Sequence, residues 1–371
     1  MKRFALTLGS ILVAACSGSP GPKPADPPRI DKPQPVRVLW SSNVGSAQRF
    51  TFVPALAGES VYAAARDGTV FRLDADKGAV RWRAALELRL SAGVGADATT
   101  VAVASEEGEV VALDAESGKV RWRARVSSEV LAPPAVGAGL VLVRSIDNRV
   151  FAFGADDGKR RWVYQRVPTS LVVRAPAGIT IAGDLAFAGF PGGKLAALAL
   201  ANGAVRWEAT VSAPKGSTEL ERVSDVIGVP ATQGREVCAA AYRGRVACFD
   251  AATGRQLWAR ELAALSGVTL DARYAFVADE RGAVHAFDRS NGQSVWKQDR
   301  LAHRQLSTPL AGGEAIAVGD FQGYVHFLAR DSGAFVARLD TSGGAVRAAP
   351  VALRSGLLVQ TAEGGLFALA L

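Results

Sequence analysis

Apolar residues along the chain come in short runs broken by polar turn residues, and no long stretch keeps the three-to-four spacing of a helix face. One unit shows the pattern. An apolar run at 61–65 is followed by a tight turn at 66–68, a second run at 70–73, an Asp/Gly turn at 74–78, and a strand at 80–86 that carries Trp82. The ten residues LDADKGAVRW at 73–82 then return as variants at 113–122, 153–162, 198–207, 249–258, 287–296 and 328–337, each with Gly four residues before the aromatic position. A turn mark precedes every copy, at Gly68, Gly108, Asn148, Gly193, Gly244, Gly282 and Gly323, and recurs at Gly364, with spacings of 40, 40, 45, 51, 38, 41 and 41. A strand-rich period near forty residues is the signature of propeller blades. A further short strand opens each unit, often beside a proline such as Pro54, Pro133, Pro176, Pro230, Pro309 or Pro350, which suits a strand end.

The ends of the repeat array predict how the ring closes. The eighth unit stops at 367–371 where a Gly/Trp strand is due, and an unpartnered strand with Trp40 stands at 36–44. The fold expected is therefore all-β: one eight-bladed propeller of four-stranded antiparallel blades over 36–371, its last blade completed by the N-terminal strand, which removes a free sheet edge. The seven tryptophans are expected to fill the space between blades. Ala337 occupies the eighth aromatic position, with Phe335 two residues earlier a candidate to fill part of the gap.

The first residues belong to a different kind of sequence. Met1, Lys2 and Arg3 precede an apolar run at 4–15 that is too short to span a bilayer, and Val13-Ala14-Ala15-Cys16 ends it. This reads as a signal peptide (1–15) with lipidation at Cys16; Ser17 at the following position is what outer-membrane lipoproteins would show. Residues 16–35, rich in Pro, Gly and Ser, read as a tether. The expected location is the periplasmic face of the outer membrane. The formal charge of +8 falls to +6 once Lys2 and Arg3 are removed, and no basic block or basic–aromatic stripe marks a nucleic-acid site.

Candidate chemistry is sparse. Cys238 and Cys248 flank the Gly244 turn in an oxidising compartment. A three-residue loop with Gly244 in the left-handed region pairs them for a disulfide, whereas a two-residue turn puts them on opposite faces. His285 and His326 take a position filled elsewhere by Phe71, Val111 and Phe151, and read as repeat filler. Asp74, Asp114, Asp250 and Asp288 read as turn residues accepting backbone N–H bonds. No catalytic set, metal cluster or cofactor motif stands out, so no cofactor is expected.

Departures from the repeat carry more information. From each aromatic position to the strand seven residues before the next turn mark, the distances are 19, 19, 24, 30 and 17 residues, so two consecutive units hold insertions at one structural place. Loops on a rigid scaffold are where binding usually resides. The first insertion carries Ser170-Leu171-Val172-Val173-Arg174 and the second Arg222-Val223-Ser224-Asp225-Val226, mixing apolar and charged residues as partner sites do.

Lipobox, Pro-rich segment, eight marked blades and these two loops together resemble the BamB family, propeller lipoproteins of the outer-membrane β-barrel assembly machinery. The resemblance covers essentially the whole chain. It implies a non-catalytic scaffold that binds the periplasmic POTRA domains of BamA, the barrel component, and helps nascent outer-membrane proteins reach it, with strand addition a further docking mode. The family's contact residues would fall on Leu171, Val173, Arg174 and Asp225. Ile227 stands where the family would have a second Asp. Two rival readings are a periplasmic quinoprotein dehydrogenase, which shares the blade motif but needs calcium ligands, an Asp base and usually adjacent cysteines, and a propeller lipoprotein with another envelope partner.

Overall fold

The computed structural model describes residues 22–167, 171–218 and 221–371. The signal segment, Cys16 and Ser17, with Thr169, Ser170, Glu219 and Leu220 of the two insertions, lie outside the described residues. All regular structure among the described residues is strand: eight antiparallel sheets of four. Seven are simple meanders, in chain order from innermost to outermost strand. The eighth comprises Val351–Leu353, Gly356–Gln360 and Gly365–Ala370, with Arg37–Asn43 paired to the last of these as its outer strand. The N-terminal strand thus closes the ring, as the sequence pattern predicts.

Why Gly and Trp recur together is visible between blades. Each Trp indole N–H donates to a backbone carbonyl in the Asp/Gly turn of the following blade: Trp40 to Ala75, Trp82 to Ala115, Trp122 to Ala155, Trp162 to Leu200, Trp207 to Ala251, Trp258 to Arg289 and Trp296 to Arg330, at 2.6–3.0 Å. The ring itself lies flat on that turn's glycine. A Cβ at Gly254 or Gly292 would sit 2.6 Å from the ring of Trp207 or Trp258, and both glycines have left-handed φ near +70°. The motif is therefore a lock spanning two blades, with its key in one repeat and its seat in the next. Ala337 becomes intelligible on the same geometry. Blade eight takes its outermost strand from the start of the chain, so no Asp/Gly turn joins its last two strands and an indole at 337 would have no seat. Phe335 does not fill that space. It packs against the cluster of Tyr274, Phe276 and Trp296 between blades six and seven, while Val36 and Val336 line the core beside Ala337.

The turn marks adopt left-handed backbone throughout, with local substitutions. Asn148 takes that conformation in blade three (φ 66°), and in blade five Arg243 does (φ 48°) rather than the expected Gly244. Gly244 is held by space instead, since a Cβ there would run into Ser212. With this loop Cys238 and Cys248 face each other directly in the ladder, both fully buried, and their sulfurs are bonded. Closing so short a loop is worth about 2–3 kcal/mol in the chain-entropy picture. Neither thiol should react with an alkylating reagent in denaturant until a reductant is added, and mass spectrometry reads this directly; two free thiols without reductant would remove the cross-link.

The aspartates of the Asp/Gly turns work as acceptors. Asp114 Oδ1 takes the Ser117 N–H at 2.8 Å and Asp250 Oδ1 the Thr253 N–H at 2.9 Å. Hydrogen bonds from Arg121 and then Ser117 hold the Asp114 carboxyl well below the usual carboxylate range, and Arg81 and Thr253 do the same for Asp74 and Asp250. A pKa lowered by folding contributes stability that is fully present above the unfolded value, near 4, and is lost as pH falls through the folded value. Melting temperature should therefore fall as pH drops below about 4. Asp114→Asn should make that fall shallower, and an unchanged acid slope would show that these turns are not responsible.

Residues 16–35 read from sequence as a tether, and part of that segment is held against the disc. Ala25 N–H donates to Ala302 O, Gln34 N–H to Val336 O, and Arg338 donates to Pro28 O. Arg304, fully buried and paired with Asp320 at 2.7 Å, donates its second nitrogen to Ala25 O at 2.9 Å. Asp320 also bonds His326, so this histidine is part of a buried polar cluster as well as a repeat position.

The innermost strands surround a central channel of about 470 Å³. In blades five and six the ladder skips, from Ile227↔Ala240 to Ala231↔Cys238 and from Ala264↔Asp279 to Val268↔Val277, so three residues oppose one. The two bulges meet where Gly228 lies against Gly267, and they carry the exposed side chains Val229 and Leu265.

Candidate functional site

In a four-stranded meander the connections alternate between the two faces of the disc, so every link from an outermost strand to the next innermost strand emerges on one face. These links run over 86–94 and 126–134 early in the ring but over 166–178 between blades four and three and 211–225 between blades four and five. The two insertions are neighbours on that face, and the structure ties them together.

The first insertion starts at Arg166, which pairs with Glu208 at 3.1 Å and donates to Pro191 O at 3.1 Å. Past this clamp the chain puts apolar side chains into water: Val167 is 83% exposed, Leu171 44% and Val172 39%. The backbone then turns inward. Val173 N–H donates to Asp225 Oδ2 at 2.6 Å, and Asp225 Oδ1 accepts from Gly192 N–H at 3.0 Å. Farther on, Ala177 and Gly228 form a parallel bridge in which Gly178 N–H reaches Gly228 O and Gly228 N–H reaches Pro176 O, both at 2.9 Å.

Asp225, which the resemblance places at the contact, is 5% exposed with both oxygens engaged by backbone, and so fixes the Leu171 segment. Arg174 is half-exposed; its guanidinium pairs with Glu129, Nε to Oε2 at 3.1 Å, and lies over the Phe50 ring at 5.9 Å. Val173 is partly buried. Ile227 is 4% exposed among Ala240, Trp258 and Leu262, so an Asp side chain in this place would be buried in the core. In the second insertion Arg222 folds back onto Gly216 O at 3.0 Å, and Glu221 accepts from the Ser217 and Thr218 N–H groups.

A cavity of about 170 Å³ opens between the insertions, walled by Val172, Arg174, Ala175, Asp225 and Ile227 with Arg144 also lining it. Arg144 comes from Leu140–Ser145 of blade three. Its guanidinium lies over Phe190 at 5.4 Å; Nε is buried without a hydrogen-bond partner, and Nη1 has only a long contact, 3.5 Å, to Ala177 O. Burial pushes its pKa down to about 10, against the opposing charges of Asp225 and Asp147. Neither acid pairs with it, since Asp225 is occupied as described and Asp147 bonds Ser127, Ser145 and Arg149.

The face therefore presents apolar side chains held in water, a half-exposed cation, and a backbone pinned from below. Comparison with known proteins gives the family. The profile of the family described as "Outer membrane protein assembly factor BamB" matches residues 66–298. The chain is 46% identical over 345 residues to the protein of that name from Bordetella pertussis, covering 93% of this chain and 89% of the relative. It belongs to the BamB family. A second BamB, from Burkholderia pseudomallei, is 41% identical over 378 residues, covering 99% and 98%. Among solved structures, BamB from Moraxella catarrhalis superposes with a TM-score of 0.81 at 26% identity, over 91% of this chain and all of that one. A quinohemoprotein alcohol dehydrogenase from Comamonas testosteroni reaches 0.69 at 13% identity, over 90% of this chain and 76% of that one, a likeness of fold alone.

Two features of this BamB-family surface escape sequence reading. Val167 precedes the recognisable loop motif, and only its 83% exposure marks it. Arg144 looks like an ordinary strand arginine because the groups around it, Ala177, Phe190 and Asp225, are distant in sequence.

Proposed function

We propose that this BamB-family chain is a non-catalytic scaffold lipoprotein. It is held at the periplasmic face of the outer membrane through Cys16 and binds the POTRA domains of a BamA-like barrel protein, assisting the folding and insertion of outer-membrane proteins. The observation that supports this best is the coupling of the two insertions. Asp225 of one holds the backbone of the other so that Leu171 and Val172 stay exposed at fixed positions. Such preorganisation lowers the entropy lost on docking. Leu171, Val172 and Arg174 make the contact, with Val167 at its edge; Val173 and Asp225 position them.

The channel supports a scaffold over quinone chemistry. Its lining is dominated by Gly, Ala, Val, Leu and Pro, with Ser, Thr, Gln and one arginine and no carboxylate to hold calcium among the described residues. Titration of the chain with purified POTRA domains tests the proposal. Saturable binding that survives substitution of Lys77 on the opposite face but is weakened by Leu171→Asp supports it, and no binding refutes it.

A further inference from the structure

Arg144 is partly buried beside the proposed docking surface, with its Nε out of water and no ion partner. An Nε–H withheld from water without an acceptor is costly to the free protein, and Phe190 supplies only a weak, one-sided compensation. Arg144 lines the cavity between the insertions. The acids nearest to it are committed elsewhere, Asp225 to the Val173 and Gly192 N–H groups and Asp147 to Ser127, Ser145 and Arg149. The cavity's volume of about 170 Å³ exceeds that of several waters and admits a carboxylate with its stem. Its wall is apolar at Val172, Ala175 and Ile227, and carries Arg174 as a second cation beside Asp225, whose carboxylate is taken up by backbone N–H groups.

We infer that this cavity receives an acidic side chain of the docked partner, which pairs with Arg144, while Leu171 and Val172 supply the surrounding apolar contact. The inference rests on the docking role proposed above. It makes Arg144 a specificity-determining residue. A partner lacking the acid would leave the guanidinium desolvated and unpaired, which penalises the wrong complex as well as rewarding the right one.

The test uses the full chain and purified POTRA domains of the barrel partner, with affinity measured by calorimetry at two salt concentrations. Arg144→Met keeps the stem packed on Phe190 and removes the charge; it should weaken binding by about tenfold or more and flatten the salt dependence. Its melting temperature should be unchanged or higher. Arg144→Lys should recover part of the affinity. Substituting the partner's acids one at a time should find one whose loss has no further effect in the Arg144→Met background. Wild-type affinity for Arg144→Met alongside lost binding for Leu171→Asp overturns the inference and leaves the docking role standing. Weakened binding with a lowered melting temperature also overturns it, because a guanidinium serving only the fold would behave that way. Failure of the intact chain to bind removes both.

Discussion

Replacing Trp258 by alanine should lower the stability of the propeller by about 3–5 kcal/mol, read as an earlier midpoint in denaturant. The indole fills the space between blades five and six, donates to Arg289 O at 2.6 Å and lies on Gly292. The reciprocal change, Gly292→Ala, should also destabilise, from the seat's side of the same contact. A Cβ would meet the ring at 2.6 Å, and the left-handed φ of +70° adds about 1–2 kcal/mol of strain for a residue other than glycine. Because both changes break one lock, the double variant should lose less than the sum of the two. Strict additivity would mean that the glycine serves only its own turn. Placing Trp at 337 should bring no gain, since the seat in blade eight is missing.

The same residues show how much of the fold the sequence makes legible. Period, blade count and closure all follow from the Gly/Trp spacing, because one physical contact is repeated seven times around the ring. What the spacing conceals is direction: each Gly packs on the Trp of the preceding blade, while the Trp four residues after it bonds to the following blade. The held part of the Pro-rich segment is hidden for another reason. Ala25 and Pro28 are bound through their carbonyls, which every residue has, and the donors Arg304 and Arg338 lie about three hundred residues away.

At the candidate site the insertions and the exposed Leu171 are legible as extra length and apolar character. The inward turn of Asp225 is not. An Asp in a polar loop looks available to a partner, and only the approach of the Val173 and Gly192 N–H groups shows that it is spent on the loop.

The second large effect separates contact from support. Leu171→Asp combined with Arg174→Glu should reduce binding to the POTRA domains by about a hundredfold or more, as expected for a central apolar contact and its neighbouring cation. The melting temperature should move little, because exposed positions usually change stability by under about 0.5 kcal/mol. Reversal at Arg174 also places two acids together at Glu129, which should push the segment out of place without disturbing the blades. Asp225→Ala should act differently. It frees two buried N–H groups, destabilises by about 1–3 kcal/mol and weakens binding indirectly by releasing the Leu171 segment. Full affinity in the double variant would move the contact away from this face, and full affinity in Asp225→Ala would show that pinning the segment is not needed for docking.

The most direct measurement is co-purification from detergent-solubilised outer membranes, comparing the intact chain with the Leu171→Asp, Arg174→Glu variant at matched abundance. The account predicts that the intact chain brings down a BamA-like barrel protein and that the variant, still folded, does not. A barrel protein recovered equally with both, or with neither, would contradict it.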